Sequence, residues 1–85
     1  MKSLINMTKT TLDTAARGKK HLILRIEGDP VVCERLFEMG FTPNEEIEIQ
    51  HQLMWNGPLI VSVRSTRVAL RISEAQCVQI QPTHS

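Results

Sequence analysis

The sequence predicts a mostly β domain with short helices: a small SH3-like five-stranded barrel with a helix in the first long connection. Three observations carry that prediction. Apolar and polar residues alternate over 21–27, 46–52 and 57–72, the period of a strand with one buried face. One stretch, 30–39, has the helical period instead. The connections are short and rich in turn residues, and five strands offer two edges unless they curl.

The elements follow in order. Residues 1–10 are polar and read as a flexible segment before a domain over 11–81, with 82–85 as a tail. Residues 11–16 form one helical turn, broken by Arg17-Gly18-Lys19-Lys20. The first strand, 21–27, has Leu22, Leu24 and Ile26 on one face and His21, Ile23, Arg25 and Glu27 on the other, outward one. Asp29-Pro30 starts a helix, because Asp caps free amides and Pro needs no N–H partner at the first position.

Val32, Leu36 and Met39 make the stripe of that helix, with Cys33 and Phe37 beside it. Leu36, Phe37 and Met39 are expected in the core, and Glu34, Arg35 and Glu38 in water. Gly40 takes the left-handed residue that ends the helix. Thr42-Pro43-Asn44-Glu45 is a turn with Asn44 at positive φ. The second strand, 46–52, sends Ile47 and Ile49 inward, and 53–58 is a loop around Trp55. Two strands joined by a very short turn fill 57–72, with Val61, Val63, Val68 and Leu70 inward and Arg64, Arg67 and Arg71 outward. Ser73 caps a helical turn over 73–75, and 77–80 is the last strand.

Composition narrows the function. The chain has 85 residues, 41% hydrophobic and 22% charged, with a net charge of +1, which argues against a general polyanion binder. Its only aromatics are Phe37, Phe41 and Trp55, so the arginines are not interleaved with the rings that nucleic-acid stacking needs. Cys33 and Cys77 have no paired spacing and read as buried thiols. No signal-peptide pattern and no run near ~20 apolar residues is present, so a cytoplasmic setting is expected.

Four pieces of the sequence together resemble one family. They are Arg35-Leu36-x-x-Met39-Gly40-Phe41-x-Pro43, Gly57-Pro58-Leu59-Ile60-Val61-x-Val63-Arg64, Arg67-Val68-Ala69-Leu70-Arg71, and Glu74-Ala75 before the last strand. In that order they resemble the FeoA family of bacterial ferrous iron transport, over about 12–81. The resemblance implies an SH3-like barrel that performs no chemistry and requires no cofactor. It implies docking on FeoB, the membrane transporter with a cytosolic GTPase domain, and contact with the membrane only through it. The sequence departs from the family pattern at Asn44 and Ser65, where Gly is usual, and in the loop Met54-Trp55-Asn56.

The candidate sites are few. The three histidines are not placed to activate a Ser or Cys nucleophile, and the glycines are isolated, so no enzyme is expected. If the first two strands pair antiparallel, His21, Glu48 and His51 approach one another, a weak surface or dimer site for zinc or iron. The alternative function is therefore a divalent-metal-responsive module. Arg64, Arg67 and Arg71, with Arg25, form a basic face for an acidic partner. Trp55, with Met54 and Leu53, either folds back as a lid or stands out as an interface anchor. A monomer or weak homodimer fits either function.

Overall fold

The computed structural model describes residues 10–81. The expected N-terminal segment, apart from Thr10, and the expected tail lie outside the described residues. A single 3-10 turn (Leu12–Thr14) is followed by β1 (Lys20–Ile26), α1 (Pro30–Glu38), β2 (Glu46–Gln52), β3 (Leu59–Val63), β4 (Thr66–Leu70), α2 (Ile72–Ala75) and β5 (Val78–Ile80). The strands make one antiparallel sheet in the order β4-β3-β2-β1-β5. β4 and β5 stand at its two ends, so the barrel is open along that seam.

α1 begins and ends as its sequence demands. The Asp29 carboxylate accepts from the Val31 amide at 2.8 Å, and Pro30 fills the first position. Such a cap stabilises a helix by about 1 kcal/mol. At the far end Gly40 (φ 104°) donates to Phe37 O and Phe41 donates to Leu36 O, both at 3.0 Å. That pair of bonds is a Schellman ending, which sets the residue after the glycine against the helix's last turn. Phe41 and Leu36 are accordingly both fully buried. Phe37 was expected in the core but is 45% exposed, because the helix rolls on Leu36. The core aromatic is Phe41.

The strand patterns hold, with one strand turned over. Ile47, Ile49, Val61, Val63 and Leu70 are buried and Val68 is half-buried, as alternation predicts. In β1, however, Ile23 and His21 face inward, while Leu22 and Leu24 are each 41% exposed. Two things permit this. The His21 ring Nε2 lies 3.0 Å from Ala16 O, so its polar end has a partner. A bulge between Ile23 and Arg25 then shifts the register, and Ile26 returns to the core side.

The turns use left-handed residues at defined points. Glu45 donates to Thr42 O at 3.1 Å around Pro43 and Asn44 (φ 71°), the arrangement of a type II turn. Arg64 (φ 52°) and Ser65 (φ 67°) alone join β3 to β4, the type I′ geometry whose twist matches a hairpin. Ser65 therefore holds a turn position that favours glycine, at some conformational cost. The helical turn α2 starts one residue earlier than expected. Its cap position is Arg71, whose amide is bound by Glu74 Oε1 at 2.9 Å, and Ser73 lies inside it.

Candidate docking surface

The loop between β2 and β3 is built from its own backbone. Leu53 donates to Pro58 O at 3.1 Å and Gly57 to Met54 O at 2.8 Å, with Asn56 at φ 59°. The Gln52 amide donates to Gly57 O at 3.1 Å and its oxygen accepts from Arg17. With the backbone bonded inward, the side chains point out. Trp55 is 90% exposed, Met54 72% and Leu53 54%. The lid alternative for Trp55 is thereby removed, and the indole stands in solvent at the loop's tip.

Beside this loop the outer face of β3 and β4 carries a shallow hollow of about 320 Å³. It is lined by His51, Leu53, Ile60, Arg67, Val68 and Ala69. A second bulge, between Ile49 and His51, sets His51 opposite Ile60 on that face. Arg67 is exposed and has no carboxylate in ion-pair reach among the described residues. The surface is therefore apolar with a basic edge.

The arginines do not form one face. Arg25 belongs to β1 and meets Glu27 at 3.8 Å, with β2 and β3 between it and β4. Arg64 reaches Glu45 at 3.5 Å and lays its stem over Gly40, where an added Cβ would sit 2.9 Å from Arg64 Cδ. Arg71 is exposed at the start of α2. Near Arg64 a second hollow of about 350 Å³ mixes Lys20 and Arg64 with Glu45, Glu46 and Glu48. Its charges largely neutralise one another. Arg67 is the arginine that lines the hollow with Leu53.

The suggested metal triad is also dispersed. β1 and β2 do pair antiparallel, but the register sets His21 opposite Ile47 and Glu48 opposite Lys20. His21 is thus inward and 5% exposed, whereas Glu48 and His51 lie on the outer side. Parity counted from the strand ends misplaced it. Among the described residues no group of three or more His, Cys, Asp or Glu is gathered for an ion. The two thiols stay free, and burial, followed by the nearby Cys33, raises the Cys77 thiol above its ordinary range.

Sequence reasoning named Trp55, Met54, Leu53 and Arg67, all of which are exposed, but did not point to the hollow that Leu53 and Arg67 share with Ile60 and Ala69. Ala69 could have been noticed: it is a small apolar residue at an outward position of β4. Among the described residues no helix is long and apolar enough to cross a membrane.

The fold is a small SH3-like sheet with an exposed apolar loop and a basic residue beside its hollow. The FeoA domain model matches residues 10–82, and the chain belongs to the FeoA family of ferrous iron transport accessory proteins. A Campylobacter jejuni protein provisionally named Fe(2+) transport protein A is 26% identical over 70 residues, covering 82% of this chain and 95% of its own. The crystal structure of Stenotrophomonas maltophilia FeoA complexed with zinc, described as a prokaryotic SH3 domain protein, superposes with a TM-score of 0.75 at 32% identity. That match covers 85% of this chain and 89% of the other. A manganese-dependent transcriptional repressor shares the fold alone, with a TM-score of 0.76 at 19% identity over 85% of this chain and 40% of the other.

Proposed function

We propose that this chain is a non-enzymatic, cytoplasmic docking protein of ferrous iron uptake that binds the cytosolic GTPase-bearing part of FeoB. One observation carries the choice of surface: Trp55 stands 90% exposed next to Met54 and Leu53, and Leu53 shares its hollow with Arg67, which has no carboxylate in ion-pair reach among the described residues. Trp and Arg dominate interface hot spots because each combines large contact area with a specific polar group. Membership of the FeoA family supports the choice of partner. Arg64 and Arg71 belong to the rim, where charge steers encounter more than it adds affinity.

The test is calorimetric titration of the FeoB cytosolic domain with this protein, with and without ferrous ion. Binding is expected, and Trp55→Ala weakens it by roughly tenfold or more, the size of a hot-spot truncation. Absence of a complex under both conditions overturns the reading. The alternative, a divalent ion held by this chain, is favoured only by the zinc complexed with the S. maltophilia relative. Zinc and ferrous titrations of the isolated protein read it directly.

A further inference from the structure

The two edges of the sheet are finished differently. On β5, Thr11 bridges to Gln79 and Ile80 donates to Thr10 O at 2.9 Å, so the N-terminal strap covers that edge. β4 has no such cover among the described residues. Its ladder to β3 begins at Val63–Thr66, the pair that closes the two-residue turn and exchanges both hydrogen bonds. Counting along the ladder, Val68 and Leu70 also direct N–H and C=O toward β3. Arg67 and Ala69 therefore direct theirs away, to the open edge. Neither backbone has a hydrogen-bond partner there among the described residues.

The face above that edge is the hollow lined by Leu53, Ile60, Val68, Ala69, His51 and Arg67. A strand laid along β4 would place alternate side chains on it. Charge decides what kind of strand fits. A second copy pairing β4 with β4 would bring a second Arg67 into the same short seam, where no carboxylate of the described residues lies in ion-pair reach of the first, and like charges gathered across strands are unfavourable. An acidic strand would meet the unpaired Arg67 instead.

We propose that the open edge of β4 accepts an extended acidic segment of the partner protein as an added strand. Its backbone pairs with Arg67 and Ala69, and its side chains on the outer face are apolar over Ala69 and the hollow and acidic opposite Arg67. The source of the segment rests on the docking reading above; the edge chemistry does not.

The probe is the synthetic peptide acetyl-Thr-Glu-Thr-Val-Thr-Glu-Thr-amide, whose Glu and Val side chains share one face of a strand, titrated into the whole chain and followed by amide NMR. Saturable binding is expected, with the largest shifts at Arg67 and Ala69 and their hydrogen exchange slowed roughly tenfold or more. The twin peptide with Lys for Glu binds about tenfold more weakly or not at all. Ala69→Pro removes the outward N–H at a position where an edge strand tolerates proline, and abolishes binding. Should that variant not fold, methylating the peptide's own amides blocks the same bonds with the protein untouched.

No saturation, shifts confined to other elements, or equal binding of the Lys twin overturns the proposal. So does protection of Arg67 and Ala69 that grows with protein concentration alone, which means a second copy holds the edge. A FeoB complex indifferent to Ala69→Pro sinks the edge while leaving the docking function standing. Peptide binding without any FeoB complex does the reverse.

Discussion

The β5 end and the β4 end of one sheet show how a small domain separates stability from recognition. At β5 the chain closes the edge with side chain and backbone alike: Leu12 of the strap is fully buried, and the Glu27 amide donates to Cys77 O at 2.8 Å. At β4 the inward side is packed, through Leu70 and Val68, and the outward side is left to Arg67 and Ala69, with Leu53 beside them. An open edge invites a strand from elsewhere, and evolution ordinarily blunts it. Here a single charge does so selectively, repelling a copy and admitting an acid.

The sharpest way to break this contrast is at the covered end. Leu12→Ala removes a fully buried side chain from the strap and is expected to cost about 2–5 kcal/mol in urea unfolding. If it costs nothing, the strap does not hold β5. Next comes Gly28→Ala. Gly28 sits at φ 144°, and a Cβ there would lie 2.7 Å from Cys77 Sγ, so a loss of roughly 1–3 kcal/mol is expected.

A smaller effect follows from the Cys77 thiol. Its pKa is raised, by burial first and by Cys33 next, so the unfolded chain loses this proton at lower pH than the folded one. The group's effect on stability is therefore level below the ordinary thiol range, roughly pH 8.5, and destabilises as pH rises past it. Denaturation midpoints should fall with rising pH, and Cys77→Ala should flatten that dependence. The smallest expected change is at the other end: Trp55→Ala shifts stability by no more than about 0.5 kcal/mol, the usual range for an exposed position. A larger loss would mean that the indole packs, and its emission should accordingly be that of solvent-exposed tryptophan.

These regions also differ in how far the sequence revealed them. The helix was legible because capping is local: Asp29, Pro30 and Gly40 act within a turn of their own positions. The alternation of 46–52 and 59–70 was legible because only one parity is apolar enough to be buried. β1 was not, since Leu22, Ile23 and Leu24 are apolar at both parities, and a bulge, which has no sequence mark, decides between them. The same hidden register dispersed His21 from Glu48. Phe37 and Phe41 could not be ranked by periodicity, because the helix ending, not the stripe, carries Phe41 inward. Trp55's exposure depends on where the loop's own hydrogen bonds go, and the open edge depends on strand order. Both are properties of the whole sheet.

One contact reaches beyond its own neighbourhood. Gly40 closes a helix and Arg64 opens a hairpin turn, yet the arginine stem occupies the space a side chain at 40 would need. The clash therefore couples these two positions in part. In a library randomised at both, glycine should persist at 40 whatever stands at 64, because φ 104° strains any side chain there, and shortening 64 should recover only the part of the loss that comes from the clash.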